Sequence, residues 1–149
     1  MSLIFRQGCE DDLTAVYKLN CEVFPESWSN DGLKAALKKD YELLLCMDRD
    51  LLAGYLLSRS VLDEVHIMQI AVAPSHQRRG IAGQLSRMLL NANPGRIFLL
   101  EVRVSNVAAQ ALYAKLGFAR SGYRKAYYVA ENKNGAREDA VLMSCQNSL

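Results

Sequence analysis

The sequence predicts a single α/β (α+β) domain in which a mixed sheet of about seven strands carries about four helices on its faces. Length supports this prediction, because 149 residues suit one compact domain and no repeat, low-complexity tract or linker divides residues 1–149. Composition supports it as well, since 50% of the residues are hydrophobic and 23% are charged, as in ordinary globular proteins. The predicted order is strand, two helices, three strands, helix, strand, helix and two strands.

The N-terminal half is predicted to hold three strands and two helices. The strands are predicted at residues 3–7, 41–47 and 51–58. The first helix follows the acidic segment 10–12, since carboxylates suit a helix N-terminus, and one of its faces is mostly apolar but includes Asn20. Ser29 is a suitable N-cap for the second helix. Asp48-Arg49-Asp50 joins the second and third strands, which indicates a β-hairpin.

The C-terminal half is predicted to hold four strands and two helices. The strands are predicted at residues 65–72, 97–104, 120–128 and 140–145. One helix begins near Ile81 with apolar residues at helical spacing. The other is capped by Asn106 and ends before Gly117, which suits the left-handed residue after a helix.

Charge and cysteine content argue against several classes of function. A net charge of +2 gives no reason to expect nucleic acid or a membrane surface as partner. Four cysteines form no CxxC pair and only two histidines are present, so we expect no metal site and reduced, mostly buried thiols. The sequence has no apolar leader and no run of the ~20 apolar residues that a membrane span needs, so we expect a cytoplasmic protein.

The segment from Gln77 to Gly83 gives the most informative chemical signal. It joins a strand directly to an amphipathic helix, whose free N–H groups and positive dipole end attract phosphate. Arg78 and Arg79 add forked donors, and Gly80 lets the backbone come close to a bulky anion. The segment lacks the GK[ST] ending of a Walker loop and the GxGxxG of a dinucleotide fingerprint. It therefore indicates a pyrophosphate site, and the alternative is a basic, solvated helix start.

Glu101 lies within a strongly apolar strand. Alternation places it on one face with Ile97, Leu99 and Arg103. A carboxyl group in apolar surroundings is costly to bury, and burial in general moves carboxylic acids toward the range useful for a general base. The alternative is a Glu101–Arg103 ion pair on a solvated face.

Tyr113 lies about two helical turns after Asn106, so both side chains project from one face of their helix. That helix starts soon after the strand of Glu101, so the tyrosine can reach the same cleft. The alternative is a tyrosine packed in the core.

The segment after the predicted strand 65–72 resembles the signature loop of the GNAT superfamily of N-acetyltransferases, Q/R-x-x-G-x-G/A, with Ala82 at the last small position. Residues 62–143 more closely resemble the bacterial ribosomal-protein-alanine N-acetyltransferases (the RimI type). The matching segments are Leu62-Asp63-Glu64, Glu101 to Asn106, Leu112-Tyr113, Leu116-Gly117-Phe118 and Tyr127-Tyr128. The chain departs from them at Glu26-Ser27 and at Val129, which both border the acceptor site of that family.

The resemblance implies a GNAT-like, mostly antiparallel sheet and a role for each matching residue. Glu101 matches the general base, Tyr113 the general acid and Asn106 a contact to the pantetheine arm of acetyl-CoA. The strand segment whose backbone pairs with that arm is matched by Ile70, Ala71 and Val72. The pyrophosphate loop is matched by Gln77, Arg78, Arg79, Gly80, Ile81, Ala82 and Gly83. The candidates for acceptor binding are Trp28, Arg124, Tyr127 and Tyr128.

The sequence therefore predicts an acetyl-CoA-dependent N-acetyltransferase that needs no metal. The resemblance further implies direct acetyl transfer to a protein N-terminus, the N-terminal alanine of a small-subunit ribosomal protein. One alternative is the same fold acting on a small-molecule amine or a lysine side chain. Another is a catalytically silent acyl-CoA-sensing module, against which Glu101 and Tyr113 argue because binding alone needs neither.

Overall fold

The computed structural model describes residues 3–24, 28–128 and 137–146. The helices are α1 (Leu13–Val23), α2 (Asn30–Leu37), α3 (Ile81–Ala92) and α4 (Val107–Lys115). The strands are β1 (Leu3–Gln7), β2 (Tyr41–Asp48), β3 (Leu51–Val61), β4 (Glu64–Val72), β5 (Ile97–Arg103), β6 (Ala119–Tyr128) and β7 (Glu138–Gln146). The predicted order of strands and helices is confirmed. Short 3₁₀ turns at Glu10–Asp12 and Pro74–His76 precede α1 and the loop before α3.

The seven described strands form one sheet in the order β1-β2-β3-β4-β5-β7-β6. Every neighbouring pair is antiparallel except β4 and β5, which run parallel. The mixed, mostly antiparallel sheet predicted from the sequence is therefore confirmed. Its one parallel junction lies at the centre of the sheet, between the strand before the glycine loop and the strand that carries Glu101.

Local signals in the sequence start the helices as predicted. The Ser29 hydroxyl accepts the N–H of Gly32 at 2.9 Å, and the Asn106 side chain accepts the N–H of Ala109 at 3.1 Å. Such caps satisfy N–H groups that a helix start leaves without partners. The acidic segment 10–12 forms the 3₁₀ turn rather than the first turn of α1.

Two apolar cores lie on opposite faces of the sheet. On the α3–α4 face, helix residues such as Leu85 pack against the side chains of Phe98, Leu100 and Val102 from β5. On the α1–α2 face, Val16 and Leu33 pack with residues of the central strands. Strand β5 alternates between buried and half-buried positions, so Glu101 shares a face with Ile97, Leu99 and Arg103, as its strand pattern predicted. This face lies opposite the buried β5 side chains and therefore toward α1 and α2.

The two parallel strands separate part of the way along the sheet. Pairing between β4 and β5 covers only Glu64–Ile67 and Ile97–Leu100. Strand β4 remains paired with β3 as far as Val72, so its other edge beyond residue 67 pairs with no strand of the described chain. The register shifts at the same point, leaving Met68 as an extra, bulged residue. A bulge bends its strand and re-aims the next side chains, so the gap opens where β4 changes direction.

The cysteine prediction was wrong in one respect. All four thiols are free, but Cys9 and Cys21 are exposed, Cys46 is buried and Cys145 is half-buried. Cys9 and Cys21 lie before and on the outer side of α1, where solvent reaches them. Among the described helices, we find none with both the length and the apolar character needed to cross a bilayer.

Candidate active site

A cleft of about 720 Å³, the main cleft, occupies the gap between β4 and β5. The predicted site residues that line it are Trp28, Ile70, Val72, Gln77, Arg78, Gly80, Ile81, Ala82, Gly83, Glu101, Asn106, Tyr113, Tyr127 and Tyr128. Three predicted residues do not line it. Ala71 buries its side chain in the core on the α1–α2 face, Arg79 lies outside the cleft wall, and Arg124 lines a neighbouring cavity.

The glycine loop gives the main cleft an anion-attracting end. Arg78 and Gly80 both have left-handed backbones, with φ of 67° and 75°. Alternating left-handed residues turn successive N–H groups toward one side of a loop. Gly80 is also the N-cap of α3, and no side chain of the described residues caps that helix. The first N–H groups of α3 are therefore available to a ligand, which fits a phosphate group.

Two contacts outside the glycine loop help to position α3, one at Gly83 and one at His76. A Cβ on Gly83 would lie 3.4 Å from the Leu112 side chain, which shows how closely α3 approaches α4. His76 is 5% exposed and bonds Asp48 at 2.8 Å, joining the turn before the loop to β2. The pKa of Asp48 is lowered, mainly by this hydrogen bond and to a smaller extent by nearby charges that include Arg79. Sequence reasoning missed the role of His76.

Glu101 stands on β5 with its side chain 28% exposed. Its carboxylate lies 3.5 Å from the guanidinium of Arg124 on β6. The Glu101–Arg103 pair considered as an alternative does not form. Arg103 instead pairs with Glu138 at 3.2 Å and lies over the ring of Tyr128, 4.6 Å from its centre. Glu101 thus occupies a half-buried position. Among the described residues its ion-pair partner is the more exposed Arg124, at the long distance of 3.5 Å.

Tyr113 approaches the same cleft from the opposite face of the sheet. Its ring packs edge-to-face on Phe118 at 5.7 Å, and the residue is 8% exposed. The ring belongs to the core on the α3–α4 face and also lines the cleft. Burial raises the pKa of the Tyr113 phenol above its usual value, so the group keeps its proton at neutral pH.

A second cavity of about 340 Å³, the side cavity, adjoins the main cleft. The two share Met68, Glu101, Tyr127 and Tyr128, so Glu101 stands where they meet. Arg124 lines the side cavity and lies over the ring of Tyr127 at 5.1 Å. The pKa of Tyr128 is raised, first by burial and next by the charge of Glu101, which places this phenol in the electrostatic field of the carboxylate.

A buried polar network at the mouth of the main cleft escaped sequence reasoning. Asn20 is fully buried and accepts the backbone N–H of Trp28 at 2.8 Å. Its NH₂ group donates to Gln69 at 2.6 Å and to Tyr55 at 3.0 Å, and the Tyr55 hydroxyl donates to Gln69 at 2.8 Å. The signal was present, because an asparagine on an apolar helix face must find polar partners when it is buried.

The two departures from the family pattern lie outside the described residues: Glu26-Ser27 and Val129. Within the described residues, no group of three or more His, Cys, Asp or Glu side chains is arranged to hold a metal ion.

Comparison with known proteins gives a consistent family. The model of the acetyltransferase (GNAT) family matches residues 13–118. The [ribosomal protein bS18]-alanine N-acetyltransferase of Escherichia coli (strain K12) is 32% identical over 141 residues, covering 93% of each chain. The putative enzyme of that name from Bacillus subtilis (strain 168) is 35% identical over 138 residues, covering 89% of this chain and 88% of its own.

Solved structures agree in fold. The crystal structure of the ribosomal-protein-S18-alanine N-acetyltransferase from Escherichia coli superposes with a TM-score of 0.91 at 30% identity, covering 99% of this chain and 96% of that one. Arabidopsis thaliana NAA60 in complex with a bisubstrate analogue superposes with a TM-score of 0.87, covering 97% and 98% of the two chains. At 20% identity, the second likeness bears on the fold alone.

Proposed function

Since the chain belongs to the acetyltransferase (GNAT) family and is an N-acetyltransferase, we propose that it moves the acetyl group of acetyl-CoA onto a protein α-amine. The proposed acceptor is the N-terminal alanine of ribosomal protein bS18, the substrate named in the relatives that match nearly the whole chain. The observation that carries the proposal is the position of Glu101. This carboxylate stands at the junction of a long cleft that suits the co-substrate and a smaller cavity that suits the acceptor.

The main cleft has the features that acetyl-CoA requires. The N–H groups at the start of α3, with Gln77, Arg78 and Gly80, would hold the pyrophosphate. The free edge of β4 at Ile70, Ala71 and Val72 would pair with the amides of the pantetheine arm, as a neighbouring strand would. The side-chain oxygen of Asn106 accepts the capping hydrogen bond of α4, so its NH₂ group would be able to donate to the same arm. Ile81, Ala82 and Gly83 complete the wall.

The proposed base and the proposed acid approach the reacting groups from opposite faces of the sheet. When bound, acetyl-CoA supplies the acetyl group as a reactive thioester. A protein N-terminus has a pKa near ~8 and must lose a proton before it can attack. Glu101 accepts that proton, directly or through a water molecule, from the α1–α2 face. Tyr113 donates a proton to the departing sulfur from the α3–α4 face.

The raised pKa of Tyr113 is compatible with its role as the acid. A thiolate released beside Tyr113 would lose hydration as well, so it would be a stronger base there than in water. The phenol is therefore fully protonated before the reaction and can still give its proton to the sulfur. Free phenols and thiols differ by about 1.5 pKa units in water, so the tyrosine would be a weak acid outside such a site.

The proposed acceptor site is the side cavity together with the adjoining part of the main cleft on the α1–α2 face. Arg124, Tyr127 and Tyr128 line the side cavity, and Trp28 stands at the mouth of the main cleft. The aromatic walls give the first residue of the acceptor apolar contacts, and Glu101 attracts its ammonium group. The ion pair with Arg124 must loosen for this, which is feasible because Arg124 is 55% exposed and its charge is screened by water.

Mass spectrometry of peptides incubated with the protein and acetyl-CoA tests the proposal. The set contains an alanine-starting peptide with the bS18 N-terminal sequence, the same peptide with a blocked N-terminus, and a peptide with an internal lysine. We expect a gain of one acetyl group only on the free alanine N-terminus. Acetylation of lysine or of a small amine alone would move the proposal to the alternative acceptors. Binding of acetyl-CoA without transfer to any amine would favour the silent sensing module.

A further inference from the structure

The Gln69 side chain lies between the buried polar network and the main cleft. Its carbonyl oxygen accepts two hydrogen bonds, from Asn20 at 2.6 Å and from Tyr55 at 2.8 Å. The side chain lines the cleft, and its NH₂ group has no hydrogen-bond partner among the described residues. Gln69 therefore presents two unused donors to whatever occupies the cleft.

The orientation of this amide is fixed by the network behind it. Asn20 must turn its oxygen toward the backbone N–H of Trp28, since that group can only donate. The Asn20 NH₂ group then faces Gln69, so Gln69 must accept this hydrogen bond with its side-chain oxygen. A flipped Gln69 would set two NH₂ groups against each other at 2.6 Å, so the nitrogen is held on the cleft side.

The bulge in β4 determines which face Gln69 serves. Without an extra residue at Met68, Gln69 would share a face with Ile67, which packs in the core on the α3–α4 face. The bulge instead turns Gln69 to the α1–α2 face, beside Asn20 and Tyr55. Glu101 projects from β5 toward that same face across the gap. The donor of Gln69 and the carboxylate of Glu101 thus border the same space, on adjacent strands.

We propose that the Gln69 NH₂ group donates a hydrogen bond to the carbonyl oxygen of the first residue of the acceptor and so selects peptide N-termini over other amines. This inference rests on the proposed function and names a specificity residue for it. In a peptide N-terminus, the carbonyl carbon is two bonds from the amine nitrogen, close enough for Gln69 and Glu101 to hold both groups. In a lysine side chain, a chain of methylene groups separates the amine from any carbonyl oxygen, so the same donor would stay unused. A buried donor left without a partner costs binding energy, which is how such a site rejects the wrong amine.

The test compares two acceptors rather than two proteins alone. One is the alanine-starting peptide, and the other is its isostere in which the first peptide bond is replaced by a methylene ether, which keeps the length and a primary amine but lacks the carbonyl oxygen and the amide N–H. Loss of the carbonyl makes the amine more basic, so kcat/KM is expressed per neutral amine for each acceptor. Wild-type protein should prefer the peptide in kcat/KM by about five- to tenfold, the range expected of one neutral hydrogen bond. In Gln69→Met and in Gln69→Glu, neither of which can donate, this preference should fall to about one- to twofold.

Gln69→Glu and Tyr55→Phe keep the experiment decisive. Gln69→Glu preserves the shape of the side chain and both acceptor bonds to the network, so it serves if Gln69→Met does not fold. Any added attraction of the new carboxylate for the ammonium acts on both acceptors, because each carries a primary amine at the same position, and rates per neutral amine remove the difference in amine pKa. Tyr55→Phe removes two hydrogen bonds inside the network, one from Asn20 and one to Gln69. It leaves the Gln69 donor and the bond between Asn20 and Gln69, so it should retain the wild-type preference.

Each outcome bears on the inference. A preference that survives in both Gln69 variants would overturn it, as would equal use of the two acceptors by the wild-type protein, which would leave the proposed function intact. A wild-type protein that acetylates neither acceptor removes the proposed function, and the inference falls with it. Loss of the preference in the Gln69 variants, but not in Tyr55→Phe, supports the assignment.

Discussion

The two ends of the site are built in different ways. The end proposed for acetyl-CoA uses mostly backbone groups: the free edge of β4, the left-handed loop at Arg78 and Gly80, and the start of α3. The end proposed for the acceptor uses side chains from four parts of the chain: the segment before α2, β4, β5 and β6. Backbone sites are encoded by short, local sequence patterns, whereas side-chain sites depend on the whole fold.

This contrast matters for how each end can change. A backbone cradle tolerates varied side chains as long as the loop keeps its conformation, so the co-substrate site is robust to most substitutions. Single side chains can alter the acceptor preference of the other end, because Arg124 lines the side cavity, Gln69 lines the main cleft and Tyr127 lines both. Glu101 belongs to both ends, and its loss should therefore have the largest effect.

Glu101→Gln should lower kcat by about 100- to 10,000-fold, the usual contribution of a general base. The amide keeps the size of the side chain but cannot take the proton of the ammonium. Acetyl-CoA should bind with its wild-type Kd, measured by calorimetry, because the backbone groups proposed to hold it are unchanged. Glu42→Gln is a matched control, because Glu42 also lies on a strand, β2, but lines neither cavity. A kcat near the wild-type value in Glu101→Gln would exclude this residue as the base.

Tyr113→Phe should reduce kcat by about tenfold to 100-fold, at the lower end of what acid catalysis contributes, because thiolate is a fair leaving group even without a proton. The ring remains, so its edge-to-face contact with Phe118 and the melting temperature should persist. Since burial raises the pKa of Tyr113, its phenol stays protonated through neutral and moderately alkaline pH. The pH profile of kcat should therefore keep its shape in the variant. If instead an alkaline decline in the wild-type profile disappeared in Tyr113→Phe, the phenol would have to ionise there.

Gly80→Ala and Gly95→Ala together separate backbone strain from ligand binding. Both glycines have φ of 75°, and a Cβ on either would meet no atom within 4 Å. Each alanine variant should thus lose a similar amount of stability, about 1–2 kcal/mol, for holding a left-handed backbone. Only Gly80→Ala should weaken acetyl-CoA binding, by several-fold, since Gly95 lies in the turn after α3 and outside the main cleft. Equal co-substrate affinity in the two variants would count against the loop as the pyrophosphate site.

The success of sequence reasoning follows the same division. The order of elements, the face of Glu101 and the caps at Ser29 and Asn106 were predictable because each depends on neighbouring residues. The glycine loop was predictable because its pattern and its resemblance to a known family are both local.

The network of Asn20, Tyr55 and Gln69 was not predictable, since its members are 14 to 49 residues apart along the chain. A bulge at Met68 determines which face of the sheet Gln69 occupies, and the nearby sequence gives no signal that predicts this bulge. Arg103 shows the same limit, because its partner Glu138 lies 35 residues away and replaced the nearer Glu101 that strand alternation suggested.

The smallest effect is expected at the Arg6–Asp12 ion pair, which ties β1 to the start of α1 and touches neither end of the site. The guanidinium of Arg6 lowers the pKa of Asp12 to about 2, so the stabilisation is present above about pH 4 and is lost as pH falls through 2. The lost stability should be only about 1 kcal/mol, because Arg6 is 42% exposed and water screens the pair. Asp12→Asn should therefore be less stable than wild type at pH 7 by urea unfolding, and the difference should shrink below about pH 4 and vanish only below pH 2. Its kcat and both KM values at pH 7 should match the wild type, and a changed acceptor KM would show that the acceptor end extends back to the start of α1.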